Sequence, residues 1–289
     1  MYIYLAGMEQ MDAFPNVLLG EVGCAFVSYY YLRNSKSNQK RLPLLRKNIK
    51  RIIVDSGAHS FFAKYNSNLS ASVVVNKQKI KETPEVYFQK YRKWIKSNWN
   101  NFDYFVELDI GELIGQKQVL KWRKILKKDN LYEKCITVMH PRVVSWKGYL
   151  AMLNDSESKY VAIEGDRKYR KMLNYNKYIK EAYKKNIKIH GFAMTKEKYL
   201  NLFPFFSVDS TSWKAGAQYG LSKCITNKGL KIVNFKNKNM FFKVLGANIR
   251  VHSQDKGEAR LHLYRLSILA YTKMEEYYTK LWKTRGIKW

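Results

Sequence analysis

The sequence predicts an α/β protein built as a (β/α)₈ barrel, in a single domain that spans residues 1–289. Two observations carry this prediction. Short runs rich in β-branched and aromatic residues alternate with longer amphipathic segments, which is typical of a parallel sheet with right-handed crossovers. Seven of these runs precede residue 210, and 289 residues is the length of eight βα units. The rival, an open doubly wound sheet, would be favoured by a G-x-G-x-x-G loop, which the turn after the first run lacks.

The predicted strands are runs too short to be helices of ordinary length, and each ends in small or polar residues. They cover residues 2–6, 51–55, 104–109, 136–140, 160–165, 188–193 and 205–209. A closed barrel needs an eighth strand. Residues 230–234 and 241–245 are the two candidates, and both follow the seventh run.

Amphipathic segments between the strands predict helices. They cover residues 84–99, 116–126, 169–184 and 195–202, the last with Thr195 as its N-cap. Residues 254–285 have a broad apolar face and predict one long C-terminal helix that packs on the outside of the barrel. Residues 66–82 and the basic stretch 34–50 are expected to be loops.

Composition narrows the class of partner. The chain has 53 Lys and Arg against 23 Asp and Glu, a net charge of +30, and 46% of its residues are hydrophobic. That hydrophobic content excludes an intrinsically disordered chain. So large a positive charge repels itself unless a polyanion offsets it, which points to nucleic acid or an anionic membrane. No run approaches the roughly 20 apolar residues of a spanning helix, so nucleic acid is favoured and no membrane association is expected.

The cysteines and the N-terminus indicate the compartment. Cys24, Cys135 and Cys224 are far apart and include no C-x-x-C pair, so neither a zinc ribbon nor a disulfide framework is expected. The N-terminus has no basic stretch ahead of its first apolar run, so we predict no signal peptide. The expected location is the reducing cytoplasm.

Polar residues collect where the predicted strands end. The ionisable members of this set come from six strands and are Asp55, Glu107, Asp109, His140, Glu164, His190 and Asp209. In a barrel the strand C-termini converge on one mouth, where active sites lie. Several like charges in one cleft are costly without a chemical or binding role. A carboxylate after a strand can also cap the next helix, and a lone histidine there can be structural, so those alternatives stay open for each residue taken singly.

The chemistry that fits this set is a double displacement at an anomeric carbon. One carboxylate attacks C1′ as nucleophile while a second, from another strand, moves protons. No G-x-S-x-G elbow is present. Metal-assisted hydrolysis through His140, His190 and the carboxylates has no H-E-x-x-H or H-x-H motif behind it. A glycine at a strand end lets a flat ring approach the backbone.

Two segments carry a resemblance to a known family. Residues 55–60 read Asp-Ser-Gly-Ala-His-Ser, and residues 207–211 read Ser-Val-Asp-Ser-Thr. Over roughly residues 50–220 the chain resembles the tRNA-guanine transglycosylase (queuine/archaeosine) superfamily, whose barrels exchange guanine for a 7-deazaguanine. The resemblance implies that Asp209 is the nucleophile and Asp55 the general acid/base. It implies that Asp109 reads the base, with Glu107 as a second candidate. The other base-binding positions it suggests are Ser56, Gly57, His140, Glu164, Gly165, His190 and Gly191.

Departures from that family's pattern narrow the choice between tRNA and DNA as the substrate. The tRNA enzymes carry C-x-C-x-x-C…His zinc ligands near the C-terminus, where this chain has only Cys224. In this it resembles the short branch, found in phages and DNA-modification clusters, that inserts 7-deazaguanines into DNA. A phage-encoded member would work in the host cytoplasm. The resemblance implies DNA as the favoured substrate, a 7-deazaguanine base as co-substrate, and no metal or redox cofactor. The target nucleotide has to leave the base stack.

Two alternatives stay open: a transglycosylase that acts on tRNA, and a barrel that binds nucleic acid or a nucleotide without catalysis. In every case basic residues are expected to hold phosphates on either side of the barrel mouth. The candidates are Lys40, Arg41 and Arg46 before the second predicted strand, and Lys214, Lys223 and Lys228 after Asp209.

Overall fold

The computed structural model describes residues 1–10, 20–33, 36–61, 82–164, 175–219, 221–226, 229–234 and 256–289. Eight parallel strands follow one another in chain order around a closed barrel, which confirms the predicted (β/α)₈ fold. The barrel strands are β1 Tyr2–Ala6, β2 Cys24–Ser28, β3 Arg51–Asp55, β4 Tyr104–Val106, β5 Cys135–Met139, β6 Tyr160–Ile163, β7 Lys188–Gly191 and β8 Ser207–Ser210. The circle closes where β8 pairs with β1, with Tyr4 opposite Asp209.

The eighth barrel strand is not where the sequence placed it. The barrel strand that the sequence analysis did not predict is β2, near the N-terminus. Residues 230–234 belong instead to a separate antiparallel pair, β9 Leu221–Thr226 and β10 Gly229–Asn234. The other candidate, residues 241–245, lies outside the described residues. The β2 strand reads Cys-Ala-Phe-Val-Ser, and Cys24 and Ala25 are small residues with little strand propensity. Its pairing is therefore decided by burial in the barrel rather than by local preference.

Two of the barrel strands, β4 and β6, end earlier than predicted. β4 stops at Val106 and β6 at Ile163, so Glu107, Asp109 and Glu164 lie in the segments that follow the strands. By contrast, β8 extends through Asp209 to Ser210. Of the predicted polar set, Asp55, His190 and Asp209 lie inside strands, and the other four residues follow the strands.

Helices connect the strands. They are α1 Tyr29–Leu32, α2 Lys36–Asn48, α3 Pro84–Ser97, α4 Gly111–Ile114, α5 Gln116–Lys128, α6 Trp146–Asp155, α7 Tyr175–Lys184, α8 Glu197–Leu202, α9 Ala215–Tyr219 and α10 Lys256–Thr284. Two of them begin with side-chain caps, because Thr83 accepts a hydrogen bond from the Val86 N–H and Ser145 accepts one from the Gly148 N–H.

Two helix predictions need correction. The basic stretch 34–50 contains α2 rather than a loop, with Pro43 inside the helix and Leu42 and Leu45 buried three residues apart. Its lysine-rich composition hid that apolar spacing. The N-cap of α8 is Lys196 and not Thr195, and Lys196 makes no side-chain cap bond. The long C-terminal helix is confirmed as α10, whereas residues 66–81 and 165–174 lie outside the described residues.

The chain divides into two compact units. Unit 1 comprises Met1–Ala25, Asn48–Lys50 and Gly165–Trp289, and unit 2 comprises Phe26–Lys47 and Arg51–Glu164. The prediction of a single domain stays a prediction. No helix within the described ranges is both long enough and apolar enough to span a membrane.

Each unit has its own polar links between core elements. In unit 1, Glu275 of α10 accepts a hydrogen bond from the Ile3 N–H at 2.6 Å, and the Trp213 indole donates to the Ala6 carbonyl at 3.0 Å. In unit 2, the buried Tyr91 hydroxyl donates to the Val106 carbonyl at 2.9 Å. The Trp213 and Tyr91 donors satisfy backbone carbonyls, and the Glu275 carboxylate satisfies a backbone N–H, that would otherwise be costly to bury.

Candidate active site

In unit 1, the carboxylate of Asp209 is mostly buried, with 12% of its side chain exposed. Its Oδ1 accepts the Ala193 backbone N–H at 2.8 Å and lies 3.3 Å from Nε2 of His190. Among the described residues, no hydrogen bond to Oδ2 is found. One oxygen of Asp209 is therefore held by two contacts, and the other has no hydrogen-bond partner in the part of the chain that the structure describes.

His190 is fully buried beside Asp209. Its Nδ1 lies 2.6 Å from the Ser207 hydroxyl. The β7–β8 pairing places His190 opposite Ser207, and Ser207 and Asp209 lie two residues apart on one face of β8. Two neighbouring strands thus fix both ring nitrogens. We call Asp209, His190, Ser207 and Ala193 the Asp209 cluster.

The turn after β7 carries backbone strain at the point where it meets Asp209. Ala193 has φ of 51°, in the left-handed region that a side chain rarely adopts. Its N–H is the one that Asp209 accepts. Strained backbone of this kind persists where the surrounding contacts hold it in place, and it is concentrated at functional sites. Gly191 has a packing role, since an added Cβ would lie 3.0 Å from Met194 and from Phe205.

The segment after Asp209 is tied to the rest of unit 1. The Ser212 hydroxyl lies 2.6 Å from the Tyr271 hydroxyl of α10. Lys214 is half-buried against the turn after β1, where its Nζ would lie 2.2 Å from a Cβ added to Gly7. Burial lowers the pKa of Lys214, and the nearby Glu9 offsets part of that effect. Gly7, with φ of 83°, is favoured by its backbone conformation, which other residues rarely adopt.

In unit 2, Asp55 lies at the end of β3 and is half-buried. Its Oδ2 accepts the Gly57 N–H at 3.0 Å, and the Tyr87 hydroxyl donates to the Ser56 carbonyl at 2.6 Å. Gly57 has φ of 76°, and an added Cβ would lie 2.4 Å from Tyr30. The Asp-Ser-Gly segment therefore has a defined backbone that only glycine can complete at its third position.

Glu107 is a structural partner of Arg123. Its two oxygens accept from the Arg123 guanidinium at 2.7 and 2.6 Å, and Oε1 also accepts the Val138 N–H at 2.7 Å. Both side chains are buried. Although burial alone lowers the pKa of Arg123, Glu107 raises it above its ordinary value. This arrangement leaves Glu107 little capacity for a ligand.

Asp109, His140 and Glu164 form a chain of charges after β4, β5 and β6. His140 Nδ1 lies 3.1 Å from Glu164, and His140 Nε2 lies 3.4 Å from Asp109 without hydrogen-bond geometry. Burial alone lowers the pKa of His140, but the two carboxylates outweigh it and raise that pKa to about 10. Burial raises the pKa of Asp109, and His140 offsets part of this shift. His140 is therefore an imidazolium at neutral pH.

The same chain of charges continues to Arg142. Its guanidinium lies 2.8 Å from Glu164 and 2.9 Å from Glu112. Burial alone raises the pKa of Glu164, but His140 and Arg142 lower it below its ordinary value. We call Asp109, Glu112, His140, Arg142 and Glu164 the His140 network.

Three members of the His140 network have the composition of a metal site. Ligand atoms of Glu112, His140 and Glu164 lie within 4.8 Å of one another. A metal ligand histidine has to be neutral, whereas this one holds a proton, and a guanidinium already bridges the two glutamates. The Arg142 guanidinium thus already engages one oxygen of each glutamate in this group.

The predicted phosphate-binding residues differ in surroundings. Lys40 is exposed on α2, whereas Arg46 is held by Asp103 through contacts of 3.1 and 3.0 Å. Arg41 is half-buried on α2. Only the backbone of Lys223 is described, in β9, and Lys228 and Gly165 lie outside the described residues.

Sequence reasoning missed the cationic partners Arg123 and Arg142, the carboxylate of Glu112, and three contributors of hydrogen bonds. Ser207 lies two residues before Asp209 on the same strand, so strand periodicity could have found it. The Ala193 N–H and the Tyr87 hydroxyl act on Asp209 and on the Ser56 carbonyl through tertiary contacts. No local sequence pattern predicts such tertiary contacts.

A scan of the chain against protein-family models finds no match, and a search of curated proteins finds no significant match either. The resemblance to the transglycosylase superfamily stays a prediction, and the function has to be argued from the two clusters.

Proposed function

We propose that the protein is a pentosyltransferase that exchanges guanine in DNA for a 7-deazaguanine base through a covalent ester between Asp209 and C1′. One observation carries the proposal. Asp209 has one oxygen held by two N–H groups and a second oxygen without a partner among the described residues. A carboxylate nucleophile needs that asymmetry, because it has to stay ionised, keep a fixed direction and present an open lone pair.

The first half-reaction breaks the bond between the sugar and guanine. Oδ2 of Asp209 attacks C1′, the C1′–N9 bond breaks, and its electron pair leaves with the base. The departing guanine needs a proton, for which Asp55 is the proposed donor. Support for Asp55 is its position at the end of β3, where the Gly57 N–H fixes one of its oxygens.

The second half-reaction restores the enzyme. The incoming 7-deazaguanine gives its ring N–H proton to the Asp55 carboxylate and attacks C1′, the C1′–Oδ2 bond breaks, and the electron pair returns to Asp209. Two inversions give net retention at C1′. Asp109 is the proposed reader of the base, since an ionised carboxylate accepts from both the ring N–H and the exocyclic amine of a guanine-like edge.

DNA is the proposed polymer on two grounds from the sequence. The net charge of +30 suits a polyanion, and the C-terminal zinc ligands of the tRNA enzymes are missing. Because the net count includes the acidic clusters, the remainder of the chain is more basic than +30 indicates. Among the described candidates for a phosphate contact, Lys40 on α2 is the one whose side chain is exposed to solvent.

The proposal is tested by following label from a radioactive 7-deazaguanine into DNA and into tRNA, offered separately to the full-length protein. We expect DNA to gain label and to release guanine in equal amount. Label in tRNA alone would replace the DNA assignment by the tRNA alternative. Binding without label in either polymer would favour a barrel without catalysis.

The nucleophile is tested with Asp209→Asn, which we expect to lower exchange by about 10³-fold or more, because an amide cannot form the ester. Glu181→Gln serves as the matched control, since Glu181 lies on α7 and contacts only Lys184 among the ion pairs described for it. Unchanged exchange by Asp209→Asn would exclude Asp209 as the nucleophile.

A further inference from the structure

We propose that His190, oriented by Ser207, and the Ala193 N–H together make Asp209 a good leaving group and so govern how fast the covalent intermediate is discharged. This inference rests on the proposed function and adds a step-specific role for two residues. His190 is a positioning residue in this scheme, because it touches Asp209 and not the sugar or the base.

The donors are placed on the oxygen that does not form the ester. Both the Ala193 N–H and His190 Nε2 are directed at Oδ1, at 2.8 and 3.3 Å. When Oδ2 is bonded to C1′, Oδ1 becomes an ester carbonyl oxygen and carries less negative charge. When the C1′–Oδ2 bond breaks, the returning electron pair is shared by both oxygens, and Oδ1 becomes charged again.

A hydrogen bond to a charged acceptor is roughly twice as strong as one to a neutral acceptor. Both donors therefore stabilise the free carboxylate more than the ester. They favour the step in which Asp209 leaves C1′ over the step in which it attacks. Their removal should leave the protein able to form the ester and slower to release it.

Ser207 sets the state of the imidazole that this role requires. A carboxylate only accepts hydrogen bonds, so Nε2 of His190 has to carry the hydrogen that faces Asp209. The Ser207 hydroxyl, 2.6 Å from Nδ1, can donate to that nitrogen and so leave the ring hydrogen on Nε2. Edge-on contacts with Tyr4 and Phe192, at centroid distances of 6.1 and 5.1 Å, fix the ring plane.

A fully buried histidine between a serine and an aspartate could also serve stability alone. The two roles differ in what they predict for the intermediate. A purely structural His190 would change the amount of folded protein and leave the ratio of free to ester-linked enzyme unchanged. A His190 that assists departure would change that ratio.

The experiment follows the covalent adduct and the exchange rate together. The full-length protein is mixed with a guanine-containing oligonucleotide and a labelled 7-deazaguanine, the reaction is stopped with denaturant, and the protein–DNA adduct is separated on a denaturing gel. For His190→Leu we expect turnover to fall by about tenfold or more, the size of a lost hydrogen bond to a charged group. The fraction of enzyme trapped as adduct should rise in parallel.

Two further variants keep the test decisive. In His190→Gln the side-chain amide can present an N–H where Nε2 stands, so it should recover most of the turnover and the low adduct level. Ser207→Ala removes a single oxygen and should shift both readouts in the direction of His190→Leu, by less. If His190→Leu does not fold by its thermal melt, Ser207→Ala and His190→Gln carry the comparison.

The outcomes separate the two proposals. Lower turnover with an unchanged adduct fraction, or unchanged turnover in both His190→Leu and Ser207→Ala, would overturn the role of His190 and leave the proposed function intact. A wild-type protein that gives neither adduct nor label in DNA or tRNA would overturn the proposed function itself.

Discussion

The two units differ in what surrounds their buried carboxylates. In unit 1, Asp209 is held by a backbone N–H and an imidazole that has a serine on its other nitrogen. In unit 2, Glu107 faces a guanidinium, and the His140 network sets three carboxylates against His140 and Arg142. The described partners of Asp209 are thus hydrogen-bond donors, whereas Glu107, Glu112 and Glu164 of unit 2 each contact an arginine guanidinium.

This difference separates groups available for chemistry from groups that hold structure. A compensated carboxylate has its charge and most of its lone pairs engaged, and it gives little to a substrate. Asp209 has one oxygen engaged and the other open among the described residues. The comparison predicts that charge changes at Glu107 and Arg123 act on stability and that changes in the Asp209 cluster act on the reaction.

The largest effect on stability is expected from Arg123→Met. It leaves Glu107 as an uncompensated buried charge, for which the expected loss in free energy of unfolding is about 3–5 kcal/mol. The measurement is denaturant unfolding at neutral pH. The double variant Arg123→Met with Glu107→Gln should recover part of the loss, because no buried charge remains and the amide oxygen can still accept the Val138 N–H. A single variant as stable as the wild type would show that Glu107 is not compensated by Arg123.

A smaller effect is expected from the proton on His140, and it depends on pH. The pKa of about 10 in the folded chain lies above the ordinary value of 6.5, so folded protein holds a proton that unfolded protein has lost between these values. This contribution to stability is complete below about pH 6.5 and disappears as the pH rises through 10. From pH 7 to 10 the free energy of unfolding should fall by roughly 2–4 kcal/mol more in the wild type than in His140→Gln. Parallel curves for the two proteins would contradict the prediction.

How well the sequence predicts these clusters depends on how far apart in the chain the contacting residues lie. The alternation of strands and helices gave the barrel, because the pattern is repeated along the chain. The polar strand ends pointed to Asp55, Asp109, His140, Glu164 and Asp209. The sequence could not show that Glu107 is engaged by Arg123, 16 residues later, nor that the Ala193 N–H meets Asp209, because each depends on how side chains pack after the barrel closes.

The second barrel strand shows the same limit at the level of the fold. Cys24–Ser28 has only one aromatic residue and one β-branched residue, so its local signal is weak, while residues 230–234 have a stronger signal and pair outside the barrel. Closure of the barrel selects the strand by position in the chain rather than by propensity. The first two predicted strands are separated by residues 7–50, which is long enough to contain another βα unit, so the eighth strand is expected there.

The smallest effect on stability is expected from Asp209→Asn, although the same change should abolish exchange. The amide oxygen can take the place of Oδ1 and accept from both the Ala193 N–H and His190, and the amide nitrogen then stands where Oδ2 has no partner among the described residues. The lost charge weakens those two hydrogen bonds without removing either, so the free energy of unfolding should change by about 1 kcal/mol or less. Denaturant unfolding of this variant beside Arg123→Met measures the contrast directly. A loss as large as that of Arg123→Met would mean that the charge of Asp209 is part of the framework of unit 1, and its loss of exchange could then no longer be assigned to chemistry.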